Sequence, residues 1–143
     1  MENDILKNKI VDVLKRSVLA AVATIKDGKP WVRYMVVMPG SGLSLWTTTF
    51  AQSRKIKEIQ NNKNIDLIIG GDEKNFKAPN LNIRATAEVF TDIKTKKQYW
   101  NDMLKSYYSG PEDPNLAIIV ISPQVIEYMG GDSMTPEIYT ILA

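Results

Sequence analysis

The segment from Thr47 to Lys55 combines hydroxyl and cationic side chains in a pattern that could bind an anion. Three consecutive threonines end an apolar run, and Ser53, Arg54 and Lys55 follow at the start of a predicted helix. The free N–H groups of a helix start, the hydroxyl groups and the cations all favour a doubly charged anion such as a phosphate monoester. We therefore predict an anion site at this strand-to-helix junction, with Thr48, Thr49, Ser53, Arg54 and Lys55 as its residues.

Arg33 is a further cation that this site could use. It interrupts the apolar run "WVRYMVV", and because an unpaired guanidinium is costly to bury, it needs an anionic partner or a route to solvent. If Met38 pairs with Leu43 across the turn "PGSG", Arg33 lies opposite Thr48, within about one residue. This register would place Arg33 beside the predicted anion site.

Each of these features also has a structural interpretation. Threonine is a good strand residue in any antiparallel sheet, and a helix that starts with Ser-Arg-Lys is common. Arg84 is another cation within a strand, but Glu88 lies four positions along on the same face and could pair with it. The aromatic residues near the third predicted helix are most simply anchors of the core or of an interface; they are Trp100, Tyr107 and Tyr108.

The composition excludes several classes of function. The chain has no histidine and no cysteine, which removes the usual general base, the usual haem and zinc ligands, and the common nucleophile pairs. A net charge of +2 is too small to predict nucleic-acid binding. No apolar run approaches the roughly 20 residues that a membrane helix needs, so we expect a soluble, cytoplasmic protein that binds neither nucleic acid nor membrane.

The hydrophobic pattern predicts one mainly β domain over residues 1–143, with flanking helices. Its order is helix, three strands, helix, two strands, helix, strand, and six mostly antiparallel strands of this length tend to close into a barrel. The first helix, residues 3–16, has Asn3 or Asp4 as its N-cap and an apolar stripe of Leu6, Ile10, Val13 and Leu14. Asp27-Gly28 predicts a hairpin turn between the first two strands.

The later elements follow from capping and turn signals. The second helix is predicted from about Ser53 to Gln60, with Thr49 and Gln52 at capping-box spacing and Ile56 and Ile59 on its inner side. Asp92 should cap the third helix, whose apolar stripe is Ile93, Trp100, Met103, Leu104 and Tyr107. The last strand is expected to bend at Pro123.

Taken together, the segments "GKPWVRYMVV", "LWTTTFAQSRKIKEIQNNKNIDLIIG", "ATAEVF" and "YWNDMLKSYYSGPEDPNLAIIVISPQVIEYM" resemble the FMN-binding split-barrel proteins related to pyridoxamine 5'-phosphate oxidase. Within that family the chain is similar to the general stress protein group. The resemblance implies a six-stranded antiparallel split barrel that forms a homodimer, with FMN in a groove between subunits. The residues that match the family's cofactor-binding positions are Arg33, Tyr34, Met35, Val36, Thr48, Thr49, Ser53, Arg54 and Lys55.

The resemblance also has departures that bear on function. Ala85 and Met129 stand where the family often has a glycine and an aromatic residue, so the pocket for the flavin ring is expected to differ. The segment "GGDSMTPEIYTILA" lacks the arginine and histidine with which the true oxidase grips its substrate, and the absence of histidine disfavours the haem-handling branch. We expect flavin-dependent redox chemistry on an unknown small molecule. Alternatives are a flavin-storing stress protein, a relative that binds the deazaflavin F420, and a barrel used only for protein interaction.

Overall fold

A single curled antiparallel sheet with helices packed against it forms the protein. The structure is a computed structural model, and it describes residues 2–141. The helices are α1 (Glu2–Arg16), α2 (Arg54–Asn61), α3 (Ile93–Tyr99) and a short 3-10 helix (Asp102–Ser106). The strands are β1 (Leu19–Lys26), β2 (Lys29–Val36), β3 (Met38–Pro39), β4 (Leu45–Phe50), β5 (Asn64–Gly70), β6 (Asn80–Phe90), β7 (Leu116–Met129) and β8 (Glu137–Thr140).

The strand order in the sheet is β2-β1-β5-β6-β7-β4-β3, with β8 paired to β7, and every pairing is antiparallel. Six of these strands are long, and the sheet curls into a half-barrel, which confirms the predicted mainly β class and its split-barrel architecture. The two short strands β3 and β8 were not predicted. Strand β8 lies within "GGDSMTPEIYTILA" and pairs with β7 over only four residues. A segment this short has too few residues for its hydrophobic pattern to predict a strand.

The hairpin of β1 and β2 forms as predicted. Asp27 and Gly28 both have positive φ, at 53° and 73°, which is the backbone that a tight two-residue hairpin turn requires. The predicted pairing of β2 with the next long strand is wrong. Met38 pairs with Trp46 instead of Leu43, and Arg33 lies opposite Val22 of β1 instead of Thr48.

The pairing differs because the chain leaves β2 after Val36 and crosses to the opposite end of the sheet. The turn between Gly40 and Ser44 supports only the two residue pairs of β3 with β4, and β4 then takes β7 as its main partner. The curl of the sheet still brings the end of β2 close to β4. The Thr47 hydroxyl donates a hydrogen bond of 2.6 Å to the Val36 carbonyl.

The first two helices bury their predicted faces but begin at other residues. The stripe of α1 is buried as expected, yet α1 already begins at Glu2, so neither Asn3 nor Asp4 is its N-cap. Helix α2 buries Ile56 and Ile59, and its N-cap is Ser53, not Thr49, because Thr49 still belongs to β4. No helix within residues 2–141 has the length and apolar character to cross a bilayer.

The third predicted helix is divided in two. Asp92 caps α3 as predicted and accepts a hydrogen bond of 3.0 Å from the Thr95 N–H. Trp100 then has extended backbone, and Asn101 caps the 3-10 helix through the Met103 N–H. The predicted apolar stripe is only partly buried, since Leu104 is inside while Met103 is 58% exposed.

The longest strand, β7, runs through the centre of the core. Its register against β6 shifts between Arg84 and Ala85, opposite Pro123, which confirms the predicted bend. Aliphatic side chains of β5, β6 and β7 fill the space under α1. Those that are almost fully buried include Leu67, Ile69, Leu81, Ile83, Ile119, Ile121 and Ile126.

Gly70 at the end of β5 should be intolerant of substitution. Its φ is +93°, and a Cβ there would lie 2.9 Å from both the Pro79 carbonyl oxygen and Cγ1 of Val13. We expect Gly70→Ala to lower the free energy of unfolding by roughly 2–3 kcal/mol in urea titrations, because strain and a clash add together. Gly42→Ala is the control, since Gly42 also has positive φ but open space around it. Equal losses in the two variants would contradict the clash.

Candidate functional site

A cavity of about 600 Å³ opens between the end of β2, strand β4 and the segment from Met103 to Tyr108. Its apolar and aromatic lining residues include Met35, Val36, Met38, Trp46 and Phe50. Its polar lining residues are the threonine row (Thr47, Thr48 and Thr49), Lys55 and Ser106. A cavity of this size, with apolar walls and a few convergent polar groups, has the usual form of a small-molecule or cofactor site.

The three threonines of β4 make three different contacts. Thr47 ties β4 to the Val36 carbonyl, as described above. Thr49 accepts a hydrogen bond of 2.8 Å from the ammonium group of Lys55, and this bond fixes Lys55 on the cavity wall. Thr48 lies beside Tyr108; burial raises the pKa of Tyr108, and the Thr48 hydroxyl offsets only part of that effect. The row therefore combines one structural hydroxyl with two that belong to the cavity.

Lys55 is the cation that faces the cavity. Partial burial lowers its pKa, and the positive charges of Arg33 and Arg54 lower it further, while Glu58 acts in the opposite direction. In addition to burial, the two arginines leave Lys55 in a positive potential that the carboxylate of Glu58 does not fully compensate. An anion bound in this cavity would compensate that potential.

Arg33 has a buried carboxylate partner on α2. One guanidinium nitrogen, Nη2, lies 3.0 Å from Oε1 of Glu58, and the other, Nη1, donates a 2.8 Å hydrogen bond to Thr24. The Thr24 hydroxyl donates to the same Glu58 oxygen at 2.5 Å. The sequence predicted an anionic partner or a route to solvent for Arg33, and the structure shows an anionic partner, Glu58.

The pKa of Glu58 reflects this network. Burial alone raises it, but the hydrogen bonds from Thr24 and Arg33 and the charge of Arg33 outweigh burial and hold the pKa below its usual value. Glu58 is therefore an anion inside the protein, although its side chain is only 7% exposed. This network locks the middle of α2 onto the β1–β2 hairpin.

Six of the nine predicted cofactor-binding residues line the cavity, and three do not. The six are Tyr34, Met35, Val36, Thr48, Thr49 and Lys55. Arg33 is held by Glu58, and the Ser53 hydroxyl caps α2 by accepting a hydrogen bond from the Lys55 N–H. Arg54 points away from the cavity, with its guanidinium 5.7 Å from the centre of the Trp31 ring.

Sequence reasoning missed some residues of the site. Glu58 was not singled out, although it lies three residues after Lys55 and next to Ile59, a spacing that puts it on the inner side of α2. Trp46 and Phe50 flank the threonine row, and their apolar character gave no sign that they line a cavity. Tyr108 was predicted to anchor the core or an interface, and it is buried in the core and also lines the cavity.

Comparison with known proteins identifies the family of this chain. The family described as "Pyridoxamine 5'-phosphate oxidase" matches residues 6–130. The chain belongs to this family. It is also 32% identical over 136 residues to General stress protein 26 of Bacillus subtilis (strain 168), which covers 95% of this chain and 96% of that protein.

Solved structures agree with this assignment. The crystal structure of General Stress Protein 26 from Bacillus anthracis str. Sterne superposes with a TM-score of 0.78 at 29% identity, over 95% of this chain and 98% of that one. A FAD-binding protein from Mesorhizobium loti shares the fold with a TM-score of 0.67 at 14% identity, over 85% of this chain and 90% of that one. The chain is thus a member of the general stress protein side of the family.

The buried pair of Arg33 and Glu58 predicts a pH-dependent stability. At neutral pH, Glu58→Gln should cost roughly 3 kcal/mol of unfolding free energy, because Arg33 loses its buried partner. Since the folded pKa of Glu58 is lowered, the wild-type advantage is present above the ordinary glutamate pKa of about 4.3 and is lost as the pH falls through the lowered value. Urea titrations of both proteins from neutral to acidic pH measure the difference.

The control for this measurement is Glu73→Gln, in an exposed loop. Its unfolding free energy should follow that of the wild type at every pH, within a few tenths of a kcal/mol. A difference between wild type and Glu58→Gln that stays constant across the acidic range would show that Glu58 is not ionised in the folded protein.

Proposed function

We propose that the protein is an FMN-binding homodimer that carries out flavin-dependent redox chemistry on a small molecule. One observation supports it above all others: the ammonium group of Lys55, hydrogen-bonded to the Thr49 hydroxyl, lies in the lining of an otherwise largely apolar and aromatic cavity. A flavin mononucleotide has the complementary distribution, with a dianionic phosphate at one end and a large aromatic ring at the other.

The polar wall fits the phosphate. Arg33 and Arg54 add positive charge near Lys55, and its ammonium group already has one hydroxyl partner in Thr49. Arg33 would add charge from behind this wall, but its guanidinium would act at longer range because Glu58 holds it.

The apolar wall fits the ring. Met35, Val36, Trp46 and Phe50 offer contact area and exclude water, and Trp46 is held in place by Tyr99, with ring centroids 5.1 Å apart. FMN, when bound, supplies the hydride and electron transfer, so that the protein needs to bind, orient and shield it. This division of roles is compatible with a chain that has no histidine.

The comparisons support the class of cofactor and leave the substrate open. The family description names pyridoxamine 5'-phosphate oxidase, and the resemblance described in the sequence analysis implies a flavin cofactor. The Mesorhizobium loti protein of the same fold is described as FAD-binding. Oxidation of pyridoxine phosphate itself is not proposed, because the segment after Met129 has no arginine, lysine or histidine to bind a phosphorylated substrate.

The phosphate wall is tested by comparing FMN with riboflavin, which has the same ring without the phosphate. Charge-assisted hydrogen bonds contribute roughly 1.5–3 kcal/mol each, so FMN should bind more tightly than riboflavin by about tenfold or more. Lys55→Ala should weaken FMN by about tenfold to a hundredfold and riboflavin hardly at all. Quenching of flavin fluorescence measures all four affinities.

Lys63→Ala is the matched control, because Lys63 is an exposed lysine just after the other end of α2. It should leave both affinities unchanged. Equal affinity of the wild type for FMN and riboflavin would mean that the threonine row and Lys55 only join a strand to a helix.

The homodimer is proposed from an exposed apolar face. On the side of the sheet away from the core, β1, β2 and β5 present neighbouring residues that are about half exposed or more: Leu19, Val32, Tyr34, Val36 and Ile68. Tyr34 and Val36 also line the cavity, so this face is continuous with it. Large exposed apolar patches in a soluble protein usually mark an interface. A second copy on this face would close the open side of the cavity.

Light scattering tests this interface. The wild type should have about twice the chain mass of 16.1 kDa, and Val32→Asp should shift the mass toward that of one chain, because a charge would be buried in the interface. Ile138→Asp places the same charge on β8, at another exposed apolar residue, and should remain dimeric. A monomeric wild type that still binds FMN tightly would remove the dimer from the proposal.

A second candidate function is flavin binding without turnover. The observation that favours it is the absence of carboxylates among the cavity-lining residues that the structure describes, which leaves tyrosines and Lys55 as the groups able to exchange a proton. Anaerobic mixing of the FMN-loaded protein with NADH or NADPH separates the two candidates. Reduction followed by reoxidation with an added acceptor supports the oxidoreductase, and an unreactive flavin supports storage.

A further inference from the structure

Methionines are concentrated around the cavity between β2, β4 and the 3-10 helix. The chain has six methionines, and three of them, Met35, Met38 and Met103, line this cavity. Their flexible thioether side chains adapt to the shape of a bound aromatic ring and can make favourable sulfur–aromatic contacts. The affinity of the cavity for such a ring therefore depends on the oxidation state of these sulfur atoms.

Met103 is the most accessible of the three. It is 58% exposed, whereas Met35 and Met38 are partly buried and pack against the two clusters of core residues. A small oxidant in solution can reach the sulfur of Met103, and packing protects the other two. Met103 therefore combines access from solvent with a place in the cavity lining.

The backbone at Met103 is held by contacts that do not involve its side chain. The Met103 N–H donates a 3.0 Å hydrogen bond to the side chain of Asn101, and the next residue, Leu104, is buried in a cluster with Trp46. Because these contacts hold the 3-10 helix in place, a chemical change of the Met103 side chain alters the cavity lining and leaves the fold intact.

Met134 provides a comparison within the same chain. It is 86% exposed, in the segment between β7 and β8, and it is not among the residues that line the cavity. By exposure alone, Met134 should react with an oxidant at least as readily as Met103. An effect of oxidation that depends on Met103 and not on Met134 must therefore come from the position of Met103 in the cavity.

We infer that Met103 is an oxidation site in the lining of the cavity: hydrogen peroxide converts it to the sulfoxide, and the cavity then binds aromatic ligands more weakly. For flavin as that ligand, the inference rests on the proposed function; for another apolar aromatic molecule it does not. A bound ring would cover the Met103 sulfur, so the empty protein is the form that peroxide modifies first.

The oxidation step needs only the thioether and the peroxide. The sulfur attacks one oxygen of hydrogen peroxide, so that an S–O bond forms while the O–O bond breaks. The departing hydroxide takes the proton from the newly bound oxygen and leaves as water; the sulfur loses two electrons, and the peroxide gains them. The product is polar where the thioether was apolar, and methionine sulfoxide reductases can reverse the change.

Brief treatment of the flavin-free protein with hydrogen peroxide tests the site without reference to flavin. Peptide mass spectrometry should find sulfoxide at Met103 and Met134 before it appears at Met35 and Met38. Titration with 8-anilinonaphthalene-1-sulfonate, an aromatic dye that fluoresces in apolar surroundings, should show binding roughly threefold to tenfold weaker than before treatment. Methionine sulfoxide reductases should restore the original affinity.

Two leucine variants locate the effect. Met103→Leu should keep its own untreated affinity for the dye after peroxide, whereas Met134→Leu should lose affinity as the wild type does. An untreated wild type that does not bind the dye saturably, a Met103 that stays reduced while Met134 is oxidised, or an equal loss of affinity in Met103→Leu and the wild type would overturn the inference.

Two glutamine variants reproduce the polarity of the sulfoxide without an oxidant. Met103→Gln should bind the dye roughly threefold to tenfold more weakly than Met103→Leu, while Met134→Gln should match Met134→Leu. All four variants should have the urea midpoint of the wild type. A lower midpoint in Met103→Gln alone would show that Met103 supports the fold, and would overturn the inference.

The flavin arm of the test links the site to the proposed function. FMN affinity should fall after peroxide with the same dependence on Met103, and bound FMN should slow oxidation of Met103 severalfold without slowing that of Met134. FMN affinity that is unaffected by Met103 oxidation would overturn the inference for flavin. A protein that binds the dye in this Met103-dependent way but binds no flavin would overturn the proposed function, while the oxidation site would stand.

Discussion

The buried ion pair between Arg33 and Glu58 determines how helix α2 sits on the sheet. An ion pair in the interior is costly unless its remaining hydrogen-bonding groups are satisfied. Here Thr24 bridges the two side chains, the Val22 carbonyl accepts from Arg33 at 3.4 Å, and no buried side-chain nitrogen or oxygen in the described residues lacks a partner. The pair thus fixes an orientation, and apolar packing by Ile56 and Ile59 adds stability to it.

The orientation of α2 explains why two adjacent cations have different surroundings. Successive residues of a helix point about 100° apart, so once Glu58 is fixed toward β1, Lys55 is directed to the threonine row and Arg54 to Trp31. The two cations of the sequence "SRK" therefore have different roles, although the sequence motif predicts one shared role for them. The first is a hydroxyl-bonded ammonium in an apolar cavity, and the second is a guanidinium on an aromatic surface.

Features that depend on local chemistry could be predicted from the sequence, and features that depend on distant partners could not. The Asp27-Gly28 turn, the Asp92 cap and the buried stripe of α1 each follow from a few neighbouring residues. The pairing of β4 with β7 joins segments far apart in the chain, so the hairpin rule wrongly placed Arg33 opposite Thr48. The charge of Arg33 implied an anionic partner or a route to solvent, and only the packing of α2 on β1 shows that the partner is Glu58.

The position of β7 in the sheet also bears on how the chain folds as it is made. Strands β1, β2, β5 and β6 can pair with one another early, whereas β4 has only the two-residue β3 as a partner until β7 has been synthesised. An apolar strand with an unpaired edge is a template for pairing with other chains. The threonine row makes β4 partly hydrophilic while β4 has no long partner strand. The same hydroxyls that line the cavity in the finished protein therefore also make this strand less apolar while its edges are unpaired.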